Sequence, residues 1–478
     1  MSSRSPFSGE APSLVSSLKA WWLEWLGAVA GGLLVGALVK YRFIEGDTHV
    51  MLDTLDGVLR CVSEGRWVRC DEAGKWPVFQ YAPSVLLRGL GVSRDRVGDV
   101  LACVSIAAFV GLLSITWRTL ASRSRPVAIF SLLVLGSGLL LHYANRSFGE
   151  MVAAFFAVAL AASWLRRRGV GLVALLAFLT SLTKETAFPF IGLLGVTCVL
   201  AQRTPGQSWR SLLREERGRL VGTALGVALG VAVSAAANSF RFGVPYNAAY
   251  LEEATMAPPV LFQLDFVAAL WVAPNAGLLF FWPLLVLTLA ALPVVVWRRG
   301  RRSGTASNWL PMGVLAVMLV LLTAFLARWW APFGWWAWGS RLILPWLPAV
   351  LLMALYVYAE DARELVRPLV ASRARVVGLV VVVSLLALPH VASIFLSNEV
   401  INTAFASRGV CITPDTPERY AEFFPCLHAT AWVHPSPLLH GYRLVPHRHV
   451  RLRALLVVLL VACAGAWLWR ESRGPARS

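Results

Sequence analysis

Charge is scarce in this chain: Asp, Glu, Lys and Arg make up 15% of its 478 residues, and only 26 of these are acids. That excludes an ordinary soluble globule, in which roughly a quarter of residues are charged. Alternation of apolar and polar residues is also missing, because the apolar runs are continuous, and this excludes a transmembrane β-barrel. No unit of about 20–50 residues repeats and no long low-complexity linker occurs, so neither a solenoid nor a separate soluble domain is indicated. The polar stretch before Trp21 lacks a small-residue cleavage pattern behind an apolar core of its own, so it reads as a tail rather than a cleaved signal peptide.

What the chain does have is apolar length: 57% hydrophobic residues, a mean hydropathy of +0.64 and 21 Trp. A hydrocarbon core of roughly 30 Å takes about 20 apolar residues per helix. Windows near 23–41, 98–117, 126–142, 150–165, 169–183, 187–201, 220–238, 275–297, 310–327, 341–358, 376–394 and 452–469 meet or approach that length. The fold class expected is all-α, a polytopic transmembrane bundle of about twelve helices.

A formal net charge of +18 would suggest a nucleic-acid partner in a soluble chain. Here its distribution points elsewhere, and no nucleic acid is expected. Bases crowd Arg118–Arg125, Arg166–Arg168, Arg203–Arg219, Arg298–Arg302, Arg363–Arg375 and Arg470–Ser478, whereas the alternate segments are nearly balanced. The positive-inside rule then places the basic set in the cytoplasm and the long polar segments 42–97, 239–274 and 395–451 outside it. The expected organisation is a cytoplasmic tail at 1–22, a membrane core at 23–394, an outer cap at 395–451, and a last helix and tail at 452–478. The setting is a bacterial inner (plasma) membrane, with the bilayer itself as a partner and the active site facing outward.

The seven cysteines divide the same way. Cys103, Cys198 and Cys463 fall in apolar windows; Cys61, Cys70, Cys411 and Cys426 fall in outer segments. Four cysteines allow three pairings, of which Cys61 to Cys70 and Cys411 to Cys426 are the simplest in an oxidising compartment. Four free thiols or a metal site are the alternatives, although the spacing matches no standard zinc pattern. His428, His434, His440, His447 and His449 stand at irregular spacings in the last outer segment, as surface residues or as a metal site.

Candidate chemistry begins at Glu45-Gly46-Asp47-Thr48-His49, the first polar segment after an apolar window. Asp47 either caps a helix over 47–60 or acts as a general base for an acceptor hydroxyl at the mouth of the bundle. Asp53 and Asp56 share a face of that helix. Arg146 and Glu150 are four apart, spaced to pair with each other or, for Arg146, to meet an anionic ligand. In Thr183-Lys184-Glu185-Thr186 a charged pair sits at or near membrane depth, where charge is costly: the two neutralise one another, or Lys184 binds phosphate. Arg328 to Pro345 holds five tryptophans, which suit interfacial anchoring, and ends Trp338-Gly339-Ser340-Arg341. A guanidinium beside aromatic faces suits a phosphate or a stacked sugar.

Asp47, then Gly65-Arg66-Trp67, then Tyr81-Ala82-Pro83 resemble, in that order, the first outer loop of the type-C (GT-C) glycosyltransferases, polytopic enzymes that take sugars from polyprenyl-phosphate carriers. The Trp-Gly-x-Arg ending at Arg341 before Pro345 is similar to a second element of that family. Asn238 to Pro245 and Trp271 to Leu278 carry its Phe-Gly-x-Pro turn and Pro-x-x-Gly-Leu helix start. The resemblance spans most of 25–360, and 395–451 departs from it. It implies a GT-C-like helical fold, Asp47 as catalytic base, and a donor site from Lys184, Arg341, Arg146, Glu185, Trp338 and Tyr81. The implied partners are a polyprenyl-phosphate-linked sugar and an extracytoplasmic acceptor; no cofactor is certain, and a divalent metal is left open. The rival class is a transporter or flippase of lipid-linked sugars, for which internal repeats and helices broken near the midplane would be the signs.

Overall fold

The computed structural model describes residues 30–34, 46–147, 149–203, 206–303, 309–334, 339–393, 420–433 and 447–473. The helices, in chain order, open with Gly46–Ser63 (α1), Val78–Gly89 (α2), Arg94–Ala121 (α3), Arg125–Gly136 (α4), Leu139–Tyr143 (α5), Glu150–Leu165 (α6), Val170–Thr183 (α7) and Phe188–Ala201 (α8). They continue with Trp209–Phe242 (α9), Ala248–Thr255 (α10), Val260–Val272 (α11), Leu278–Phe281 (α12), Pro283–Ser303 (α13) and Leu310–Ala327 (α14). Leu347–Val357 (α15), Ala359–Val366 (α16), Arg373–Ser393 (α17), Tyr420–Trp432 (α18) and His447–Arg473 (α19) complete the set. Among the described residues there is no β-strand, and the chain is an all-α, multi-pass membrane protein.

Five helices are long and apolar enough to cross a membrane, among the described residues, and five further apolar helices are shorter. The shortness has a reason in burial. Nearly every residue of α6 is buried, so this helix is wrapped by others and need not match a lipid thickness. The long helices α9 and α14 instead expose apolar faces such as Leu225, Leu229, Val320 and Leu321. Of the expected window 23–41, only 30–34 is described, and it is helical.

Several expected windows are split by identifiable residues. The window 126–142 breaks at Ser137-Gly138 into α4 and α5, where a Cβ on Gly138 would lie 2.2 Å from the Trp282 ring. Trp282 is fully buried and donates through Nε1 to the Val134 carbonyl at 2.7 Å, so the break is the seat of an indole. Pro283 divides 275–297 into α12 and α13, and Pro345 separates a 3₁₀ turn at Arg341–Ile343 from α15. The segment 239–274, expected as a polar outer loop, contains the α10 and α11 pair, bent by 108°. Pro258-Pro259 makes the bend, and Asp265 interrupts the apolar run that would have marked α11. That carboxylate is satisfied locally: Trp432 Nε1 donates to it at 3.1 Å and His428 Nε2 lies at 3.4 Å.

The two ends of the bundle are built differently. At one end the basic segments meet each other: Arg125 pairs with Glu471 at 3.4 Å, Arg299 with Asp361 at 3.7 Å, and Arg219 donates to the Arg168 carbonyl at 3.2 Å. At the other end lies the first polar segment with a small core of its own, built from Met51, Leu52, Leu55, Val58, Tyr81 and Val97. Cys61 and Cys70 form the expected disulfide there, with Cα atoms 6.0 Å apart. Cys411, half of the other expected pair, lies outside the described residues.

Candidate active site

A cavity of about 860 Å³ opens at the end that carries the first polar segment. Five stretches that are far apart in the chain supply its walls: Thr48 with Lys75 to Gln80, the start of α6, the turn Thr183 to Thr186, residues 246–254, and the aromatic stretch ending at Arg341 and Trp346. One wall is aliphatic and aromatic, from Phe190, Leu322, Phe325, Leu326 and Trp346. Among the lining residues the cations Lys75, Lys184, Arg328 and Arg341 face the carboxylates Glu150, Glu185 and Glu253.

How the charges pair follows from burial, since a buried ion is costly unless matched. Glu150 opens α6 and its side chain is only 6% exposed; Lys184 Nζ lies 3.3 Å from Oε1 and Arg341 Nε 3.5 Å from the same oxygen. Two cations therefore share one carboxylate. Lys184 extends to the cavity from the end of α7, which stops there because residue 184 adopts extended backbone. Arg341 is buried, at 9% side-chain exposure, and reaches its position because Gly334 yields space. A Cβ on Gly334 would stand 2.9 Å from Arg341 Nε, and its φ of +85° lies in the left-handed region.

Neither pairing suggested by the sequence is the one formed. Lys184 and Glu185 do not neutralise one another: Lys184 goes to Glu150, and Glu185 accepts from Arg241 Nη2 at 3.0 Å. Arg146 is fully buried beside α5 and α17, where Nε donates to the His142 carbonyl at 3.0 Å and Nη2 to the Ser393 carbonyl at 2.9 Å. It is not among the residues that line the cavity. Tyr81 does not line it either. Its hydroxyl lies 3.2 Å from Thr54 Oγ1 in the core of the first polar segment, and burial pushes it up to about 12. Trp338 lies outside the described residues.

Asp47 stands in the first turn of α1, and its side chain lies outside the described residues. Its neighbour Thr48 lines the cavity and is buried. The Ser147 hydroxyl donates to Thr48 Oγ1 at 2.9 Å, and Gln80 Nε2 donates to the Ser147 carbonyl at 2.9 Å. These bonds tie the start of α1 to the residues just before Glu150. Asp53 and Asp56, on the same helix, are engaged elsewhere. Asp53 pairs with Arg94, and Asp56 accepts from Arg88 at 2.7 Å, which holds the Asp56 carboxyl below its ordinary range.

Lys75, Glu253 and Arg328 line the cavity and Arg241 holds the lining residue Glu185, roles that sequence reasoning assigned to none of them. Lys75 pairs with Glu253 and lies 5.7 Å from the centre of the Tyr250 ring. Tyr250 in turn meets Trp329 edge to face at 5.8 Å. Among the described residues no group of three His, Cys, Asp or Glu side chains is placed to hold a metal ion.

No protein-family model matches the sequence, and no curated protein matches it. In fold the chain is similar to ArnT. The crystal structure of ArnT from Cupriavidus metallidurans in the apo state is 16% identical, with a TM-score of 0.45 over 96% of this chain and 78% of that one. The structure of the same protein bound to undecaprenyl phosphate is 18% identical, with a TM-score of 0.45 over 95% of this chain and 78% of that one.

Proposed function

We propose that this protein is a membrane glycosyltransferase that moves a sugar from a polyprenyl-phosphate donor to an extracytoplasmic acceptor: a protein, a lipid or an envelope glycan. The observation that supports this most is the arrangement at Glu150, where Lys184 and Arg341 share one carboxylate beside an apolar wall. An anionic headgroup on a long hydrocarbon carrier needs both features in one cavity: cations to take up the phosphate, and aliphatic or aromatic surface for the first isoprene units. The sequence resemblance at Asp47, Tyr81-Ala82-Pro83 and Trp338-Gly339-Ser340-Arg341 supports the same reading.

The reaction follows from the charges. Lys184 and Arg341 hold the phosphate as its bond to the anomeric carbon breaks, and the bonding electrons leave on the phosphate oxygen. The acceptor's hydroxyl attacks the anomeric carbon from the opposite side, and its proton passes to the Asp47 carboxylate. One base and one displacement form no covalent sugar intermediate, so the anomeric centre inverts. Thr48, next to Asp47 in the chain, lines the cavity, which supports Asp47 as the base. The basic end of the bundle faces the cytoplasm, and the cavity opens on the other side.

The test is transfer by the purified protein from a synthetic polyprenyl-phosphate sugar, with the anomeric configuration of the product determined. Released polyprenyl phosphate and an inverted product are expected. Intact donor recovered after incubation in vesicles, but moved from one leaflet to the other, would replace this reading with transport.

A further inference from the structure

One buried side chain holds together several of the segments that line the cavity. Arg241, at the end of α9, has a side chain only 2% exposed, and all five of its N–H donors are engaged. Nε donates to the Ala237 carbonyl at 3.3 Å. Nη1 donates to the carbonyls of Gly74, at 3.4 Å, and Trp76. Nη2 donates to Asn238 Oδ1 and, at 3.0 Å, to Glu185 Oε1. A guanidinium so saturated has nothing left for a ligand; it acts on what it holds. Glu185 and Trp76 both line the cavity, and so do Lys75, Tyr250 and Trp329.

Glu185 is held by one oxygen only. Oε1 is bound to Arg241, and among the described residues nothing donates to Oε2. The carboxylate is thus turned with one acceptor oxygen left over at a cavity wall that also presents indole and phenol rings. The backbone of Gly74 contributes: its φ of +65° and missing side chain let the Trp76 indole fold back to 2.7 Å from where a Cβ would be. A carboxylate oxygen in a cavity that aromatic rings also line suits a ring with hydroxyls on its edge and C–H bonds on its face, which is the chemistry of a sugar. It does not suit a phosphate, which a carboxylate repels.

We infer that Arg241 is the positioning residue of a sugar-binding wall, setting the Glu185 carboxylate to accept from hydroxyls of the donor's sugar and Trp76 to cover its face. This rests on the cavity being a donor site. The wall and the cation pair divide the donor: the phosphate goes to Lys184 and Arg341, and the sugar goes to the elements that Arg241 ties together. Lysine cannot substitute, because an ammonium has three donors against five and no planar fork.

The experiment compares two ligands on the full chain in nanodiscs: polyprenyl phosphate without a sugar, and the same carrier bearing one. The parent should prefer the sugar-bearing ligand. Arg241→Lys should lower that preference about ten- to a hundred-fold while leaving affinity for the bare carrier within about twofold, the loss expected for hydrogen bonds to a charged group. Glu185→Gln, which leaves four of the five Arg241 bonds in place, should lower the preference in the same direction even if Arg241→Lys fails to fold. Full preference retained in Glu185→Gln, or both ligands weakened equally in a folded Arg241→Lys, overturns the inference while leaving the donor site standing. A parent that binds neither ligand overturns the donor-site reading and this inference with it.

Discussion

Glu150 is shared by two cations, so a phosphate arriving at Lys184 and Arg341 has to compete with it. Glu150→Gln removes the competitor and the carboxylate charge that Lys184 and Arg341 share. Affinity for bare polyprenyl phosphate should rise while the unfolding temperature of the ligand-free protein falls, because breaking a buried ion pair by removing one partner costs stability. Weaker phosphate binding by this variant would show that Glu150 has another task. Lys184→Ala and Arg341→Ala should each weaken donor binding about ten- to a hundred-fold, the worth of a charge-assisted contact. Isothermal titration with the folded variants checks this, and parental affinity in both would remove the phosphate assignment. At Asp47 the informative change is Asp47→Asn, which keeps the size and much of the capping ability while removing the base. Turnover should drop roughly a hundred- to ten-thousand-fold at near-normal donor affinity. Asp53→Asn and Asp56→Asn should keep turnover, since those carboxylates serve Arg94 and Arg88. The Asp56 pair contributes stability at neutral pH that is lost as pH falls through the carboxyl's lowered range, so the Asp56→Asn deficit should close on acidification. A parental rate in Asp47→Asn, with either control inactive, would move the base within the helix.

Among the elements, α7 and α9 set the site. Gly218, Gly222, Gly226 and Gly230 recur every fourth residue of α9, and this small-residue stripe packs against α7. A Cβ on Gly226 would lie 2.2 Å from the Ala174 carbonyl oxygen, and one on Gly230 2.5 Å from Ser181 Cβ. The close approach bears on the cavity, because α7 ends at Thr183 and α9 carries Arg241 in its last turn, so the stripe sets the distance between the turn of Lys184 and Glu185 and the guanidinium that holds it. Gly226→Val should force the helices apart at a cost of about 1–3 kcal/mol or more and weaken donor binding as well. Gly378→Ala is the control, since nothing lies within 4 Å of a Cβ there. Thermal unfolding in one detergent reads both variants, and a Gly226→Val protein as stable as the control would refute the role given to the stripe. This four-residue spacing was open to inspection in the sequence; its partner helix was not.

For the whole molecule, the charge pattern and the structure make one orientation testable. Val68 is 65% exposed on the first polar segment, and Arg214 is exposed on α9 at the basic end. On a background without Cys103, Cys198 and Cys463, Val68→Cys should react with an impermeant thiol reagent in intact spheroplasts, and Arg214→Cys only after lysis. The opposite result would turn the cavity toward the cytoplasm and end the proposal of an outward acceptor. Apolar windows determined by themselves that the chain is helical and crosses a membrane repeatedly, because twenty or so uncharged residues in a row have no other stable setting. Lys184 and Glu185 stood out for the converse reason, since a charge at the end of an apolar run is costly, and Arg341 stood out as a guanidinium closing an aromatic stretch. What each charge does was decided by the tertiary structure alone. Arg241 holds a carbonyl 165 residues away, Lys75 meets a carboxylate 178 residues away, and Glu150 takes a lysine 34 residues on. Local spacing offered each of Glu150, Lys184 and Glu185 a nearer partner, and burial overrode it: within a packed helical end the cost of an unmatched ion falls on whichever groups the helices bring together, not on those adjacent in the chain.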